Sequence, residues 1–198
     1  MKINSLILIA ILLTFTGCIN LTQEVPAYST YTINVNNKLV ANKNSSNIKL
    51  EIKEPKALAS INSKYISYST KSYTSENYAL SKWSDNPSKM IQTQLVKYLS
   101  STNNYTFVNN SSINVRSNWQ LLSEITNFHQ TFHEDKTFVE FSINVYLKNR
   151  KTTYYKNFTY KQSCEENNAV GAVKALNLVV NNFAQDLDIW ILNSINQK

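Results

Sequence analysis

"TFVEFSINVYLKN", residues 137–149, decides the fold. Its apolar side chains fall on alternate positions, with Val139, Phe141, Ile143, Val145 and Leu147 set against Glu140, Ser142 and Asn144. Successive side chains of a strand point to opposite faces, so this pattern buries one face and wets the other. "NWQLLSEITNFHQTF" (118–132) precedes it and reads as a longer, less regular strand. "TTYYKNFTYK" (152–161) follows across Lys148 to Lys151. Together they predict three successive antiparallel strands with short turns at 133–136 and 148–151.

After these strands the period changes. Ala169, Val173, Leu176, Val180, Phe183, Leu187 and Trp190 recur at alternating spacings of four and three, which predicts a long helix over 166–194. The stripe fits either a coiled-coil seam or packing on the domain's own sheet. Coiled-coil seams are flanked by charge, and here the flanks are largely asparagine, which favours the sheet. On the N-terminal side, Tyr31, Ile33 and Val35 alternate with Thr32, Asn34 and Asn36 as a half-buried strand. The polar stretch 36–47 reads as a loop. Ile48, Leu50 and Ile52 form a second strand, ended by Pro55. "KYISYST" (64–70) and "ENYALSKW" (76–83) read as a hairpin across 71–75. Asn86 and Pro87 then open a helix that puts Ile91, Leu95, Tyr98 and Leu99 on one face. "YTFV" (105–108) is a further short strand. The expected fold is α+β, an α/β sandwich: a mostly antiparallel sheet packed by two helices, the second long and C-terminal.

Chemistry leaves few marks. The chain has two glycines, Gly17 and Gly171, so a glycine loop that cradles phosphate is excluded. His129 and His133 have the spacing of a zinc helix but lack its glutamate, and they fall on a predicted strand. Four residues of strand span about 13 Å, too far for one metal ion. Cys164, in "SCEE", has no histidine near it in sequence and reads as structural. No catalytic residue, metal site or cofactor is expected, and the protein reads as not an enzyme. The 28 asparagines make the matches to the glycosylation pattern expected by chance.

The N-terminus carries the clearest address. Lys2 is followed by the apolar run Leu6–Leu13, which breaks at Thr14, Thr16 and Asn20. That is a signal peptide rather than a spanning helix, which needs about 20 apolar residues. Phe15-Thr16-Gly17-Cys18 resembles the bacterial lipobox, with Phe15 where leucine is usual. The resemblance implies a diacylglyceryl group on Cys18 and loss of residues 1–17 as a lipoprotein signal peptide. Residues 18–27 would be a lipid-anchored tether reaching about 30 Å, and 28–198 a single periplasmic domain. Ile19 stands where aspartate would signal inner-membrane retention, so the outer membrane is expected. The mature chain of 181 residues carries a formal charge of +6, Lys2 alone being lost. An exported chain meets little nucleic acid, and no run of five like charges occurs, so the lysines read as solvated surface.

The order of elements resembles the ABC-type transport auxiliary lipoproteins, the lipoprotein partners of MCE-protein lipid transport systems. Three stretches carry the likeness: the lipobox with its tether; "YISYSTKSYTSENYALSKWSDNPSKMIQTQLVKYL" (65–99), with tyrosine strands, Trp83 and an amphipathic helix; and "NWQLLSEITNFHQTF" with two strands and a long helix after it. Leu121 or Leu122 and Phe128 take the positions of that family's leucine and phenylalanine. The family's arginines around the tyrosine strands are here mostly Ser, Thr and Lys. The resemblance implies a non-enzymatic domain at the periplasmic face of the outer membrane, docked with an MCE-domain protein that carries phospholipid across the periplasm. A homo-oligomeric ring of subunits fits the family. Trp83 reads either as a plug beneath the 87–100 helix or as a partner contact. Tyr65, Tyr68, Tyr73 and Tyr78 around it read as a contact face or as ordinary strand residues. The alternatives are a lipid-binding carrier with an acyl cavity and an assembly or pilot lipoprotein unrelated to lipid transport.

Overall fold

A computed structural model describes residues 27–36, 47–110, 115–134 and 136–196. The expected signal peptide, most of the expected tether with Cys18, and residues 37–46 of the expected loop lie outside the described residues. The elements in order are β1 (Ser29–Tyr31), β2 (Lys49–Ile52), β3 (Lys56–Ala57), β4 (Tyr65–Ser69), β5 (Glu76–Trp83), α1 (Pro87–Ser101), β6 (Phe107–Asn110), β7 (Trp119–His133), β8 (Lys136–Lys148), β9 (Thr153–Ser163) and α2 (Ala169–Asn196).

The antiparallel meander β7–β8–β9 is the spine, as the alternation predicts. Phe128 lies opposite Phe141 and Leu121 opposite Leu147, while Phe141 faces Tyr160 on β9. Val139, Phe141, Ile143, Val145 and Leu147 are all fully buried. The free edge of β7 takes three short parallel strands in turn: β2 near Trp119, β3 near Glu124 and β4 near Gln130. One fifteen-residue strand is long enough to carry all three. The chain beside it is interrupted by Pro55, which has no N–H to give a ladder. Outside these strands, β6 pairs with β2, β5 with β4, and β1 with β5. The sheet is therefore mixed, with long antiparallel ladders and short parallel ones. Alternation is the same in both, so the sequence could not separate them.

The helices lie against the sheet. In α1, Ile91, Leu95 and Leu99 are fully buried and Tyr98 nearly so. The Asn86 carbonyl accepts from Met90 N at 3.1 Å, and Asn86 makes no side-chain cap. The helix ends at Ser101 with Thr102 as its C-cap, and Asn103 just beyond has a left-handed φ of 58°. Glycine usually takes such a position, but with so few glycines the left-handed residues among those described are Tyr73, Asn103 and Glu134. Helix α2 starts at Ala169 rather than 166 because the Asn168 side chain accepts from Gly171 N at 3.0 Å and caps it. A Cβ on Gly171 would come within 2.0 Å of the Glu166 carbonyl oxygen, so this glycine is needed for close approach.

The α2 stripe packs on the domain's own sheet. Phe183 meets Phe141 and Phe158 with ring centroids 5.4 and 5.2 Å apart. Trp190, half-buried, sits edge-on to Phe158 at 6.0 Å. Residues 32–36 do not extend β1, although Ile33 and Val35 are buried as the alternation predicts. Helix side chains hold that backbone instead. Asn177 Oδ1 accepts from Asn34 N at 2.7 Å, Gln94 Oε1 from Val35 N at 3.2 Å, and Asn181 Oδ1 from Asn36 N at 3.1 Å.

One buried carboxylate ties α2 to the segment after α1. Asp188 accepts from the Tyr105 hydroxyl at 2.6 Å and from Asn104 Nδ2 at 2.9 Å. Burial pushes its pKa up, and the two donors only partly offset this. The native state therefore holds this proton more tightly than the unfolded chain does. Its stabilising contribution is complete below the ordinary carboxyl range near pH 4 and is lost as pH rises through the raised value. Relative to Asp188→Asn, the wild-type chain should lose stability as pH rises from about 4 and then level off. Urea denaturation of both proteins at a series of pH values checks the sign.

Candidate functional site

The β4–β5 hairpin holds the tyrosines. Tyr68 lies opposite Glu76 across the hairpin and beside Gln130 of β7. Its hydroxyl donates to Glu76 Oε2 at 2.9 Å, and Thr70 donates to Glu76 Oε1 at 2.9 Å. The bond to Glu76, followed by burial, raises the Tyr68 pKa. The Tyr68 ring packs on Tyr78 at 4.7 Å and edge-on to Phe132 at 5.6 Å. Tyr78 donates to Gln130, which is fully buried and in turn donates Nε2 to Cys164 Sγ at 3.5 Å. Burial, then the neighbouring Tyr68 and Cys164, pushes the Tyr78 hydroxyl up to about 12. Burial likewise raises the Cys164 thiol. A thiol held neutral is a poor nucleophile, so Cys164 belongs to a structural polar chain.

The turn beyond this base is rigid. Thr74 donates both its N–H and its hydroxyl to the Lys71 carbonyl, at 3.2 and 2.9 Å. Its Oγ1 also accepts from Lys71 N at 3.2 Å. Tyr73 has φ 71° there and a relative exposure of 106 %, so its whole ring stands in solvent. A left-handed, fully exposed aromatic residue is unusual, and the surrounding turn must impose it. Tyr65 is 56 % exposed at the other end of β4.

The five aromatic candidates thus divide by position. Tyr65 and Tyr73 are exposed, and Tyr68 and Tyr78 pack together beneath the turn. Trp83 is 2 % exposed and packs on Phe128 at 5.8 Å, so it takes the core reading and its indole is not presented at the surface. Phe128 is buried beside it, Leu121 is buried further along β7 opposite Leu147, and Leu122 is only half-buried. Sequence reasoning missed Glu76, Gln130 and Phe132. A lone glutamate in a predicted hairpin and a glutamine at an inward strand position are the only signals that pointed to the first two.

Between the hairpin and β7 lies a shallow cavity of about 300 Å³, lined in part by Ser67, Tyr68, Tyr73, Asn127 and His129. Burial lowers the His129 pKa, with Glu140 pulling the other way. His129 and His133 lie on one strand, as predicted. Among the described residues no group of His, Cys, Asp and Glu side chains could hold a metal ion. What the arrangement offers is a contact surface of phenols and hydroxyls on a fixed turn.

Such a fold, with two helices against a mixed sheet that includes the aromatic hairpin, is that of a small α+β domain. The family model of the ABC-type transport auxiliary lipoprotein component matches residues 31–188, and the chain belongs to that family. The crystal structure of protein XCC0632 from Xanthomonas campestris is similar, with a TM-score of 0.78 at 15% identity over 85% of this chain and 97% of that one. A crystal structure of an uncharacterized protein is similar over 83% of this chain and 99% of its own, with a TM-score of 0.67 and 15% identity. At such identities these likenesses speak for the fold alone. No curated protein matches the chain in sequence. Family membership makes the protein a transport auxiliary lipoprotein with a membrane-anchored location. No helix among the described residues is long and apolar enough to cross a membrane.

Proposed function

We propose that this protein is a non-catalytic docking component of an MCE-type, ABC-driven phospholipid transport system. It is anchored at the periplasmic face of the outer membrane by a diacylglyceryl group on Cys18. The observation that carries the docking role is Tyr73, fully exposed and fixed in a left-handed turn above the Tyr68–Tyr78–Phe132 cluster. A tyrosine has few rotatable bonds to immobilise on binding, and aromatic residues are enriched at interfaces. The partner is an MCE-domain protein of the transporter. The packed α2 stripe favours docking over the carrier reading, because Phe183 and Leu187 fill the space between helix and sheet where an acyl chain would lie.

Tyr73→Ala combined with Tyr65→Ala should weaken co-purification of the MCE-domain protein by about tenfold to a hundredfold, the effect of losing one or two anchoring aromatics. Thermal stability should be unchanged, since both rings are exposed. Full recovery of the partner by the double variant would remove the hairpin from the interface.

A further inference from the structure

The chain has only two arginines, Arg116 and Arg150, among 20 basic residues. They come from separate segments, one just before β7 and the other in the β8–β9 turn. The fold brings both to the rim of one concavity of about 360 Å³, which Lys151, Ser117, Asn118 and Asn149 also line. Lys148 and Gln120 line the adjoining hollow. All four cations therefore gather at one end of the sheet.

The turn that presents them is fixed. Asn149 Oδ1 accepts from both Lys151 N and Thr152 N at 2.8 Å, and Asn149 N donates to the Thr152 carbonyl at 3.0 Å. Among the described residues no carboxylate lines either hollow. The ion pairs of the described residues are made by other cations. Glu51, which accepts from Gln120 at 2.7 Å, is already paired with Lys53 at 2.6 Å. Gathering like charges without counter-charge costs free energy, and an anion would relieve it. Guanidinium groups are planar forks suited to phosphate or carboxylate oxygens, and two of them with lysines favour the more highly charged phosphate.

We propose that this end of the β7–β8–β9 meander is a phosphate-binding site, with Arg116 and Arg150 as its two forks and Lys151 and Lys148 as supporting charges. Its ligand is a phosphate ester or free phosphate. The site is independent of the docking reading. It lies at the start of β7, and the tyrosine hairpin meets β7 near Asn127 and Gln130, at least about 23 Å along the strand.

Having only two arginines gives a direct readout. The full chain, labelled with ¹⁵N-arginine and held in a neutral detergent, should show two side-chain Nε–Hε signals. It is titrated with inorganic phosphate, with monomeric dihexanoyl phosphatidylglycerol, and with acetate at matched ionic strength. Both signals should move together on one saturable curve with phosphate and with the lipid, and hardly at all with acetate. Arg150→Gln should weaken phosphate binding seen at Arg116 by about tenfold, the loss of one charge-assisted contact. Tighter binding of the lipid than of phosphate assigns the site to a headgroup; equal binding assigns it to the free anion. Shifts that track ionic strength alike for phosphate and acetate would overturn the proposal.

Discussion

Phe183→Ala should destabilise the domain by about 3–5 kcal/mol, the cost of emptying a fully packed aromatic site. Phe183 has no exposed surface, and its ring touches those of Phe141, Phe158 and Tyr160. These residues come from β8, β9 and α2, so one truncation loosens both layers at once. Set against a total stability of about 5–15 kcal/mol, the loss is a large part of the whole. Ile189→Ala on the same helix is the control. Its side chain is 58 % exposed, and the change should stay within about 0.5 kcal/mol. Urea denaturation separates the two. Equal, small effects would mean that α2 does not pack on the sheet through this stripe.

The second large effect concerns Cys18. If it carries a diacylglyceryl group, two acyl chains at about 0.8 kcal/mol per buried CH₂ hold the protein on its membrane for practical purposes. Cys18→Ser should abolish acylation. Mass spectrometry of the N-terminal peptide would show the wild-type cysteine acylated and the variant carrying residues 1–17 uncut. With an ordinary cleavable signal in place of residues 1–17, the Cys18→Ser protein should move from the membrane to the soluble fraction. Cys164→Ser, by contrast, should leave acylation untouched, since that thiol is bonded to Gln130 inside the fold. An unacylated wild-type Cys18 would remove the anchor from the account.

The meander and both helices were legible because their periods are long and unbroken. Five alternating apolar residues in β8 specify a strand and seven in the α2 stripe a helix, although that stripe also fitted a coiled-coil seam. Trp83 was ambiguous because tryptophan serves cores and interfaces equally well, and only its packing on Phe128 decides between them. The parallel attachment of β2, β3 and β4 to β7 was not legible, because pairing partners leave no trace in a four-residue alternation. Residues 32–36 misled for a related reason. Their inward pattern is that of a strand, yet Asn177, Asn181 and Gln94 supply the hydrogen bonds a neighbouring strand would have made. Three amide side chains on two different helices cannot be matched to one backbone from sequence alone. At the site, the tyrosines were visible but their division was not. Exposure of Tyr73 depends on a left-handed turn and burial of Trp83 on its packing against Phe128, and hydrophobic periodicity reveals neither.

The central claim is that Tyr73 faces a transport partner. A photocrosslinking amino acid placed at Tyr73 in the full chain, expressed in its own cells, tests it most directly. Tyr155 on β9, 57 % exposed and on a strand that among the described residues pairs with β8 alone, is the comparison position. The account predicts capture of an MCE-domain protein from position 73 and not from position 155. Capture at position 73 of lipid alone, or of a secretion or other envelope component without any MCE-domain protein, would contradict it.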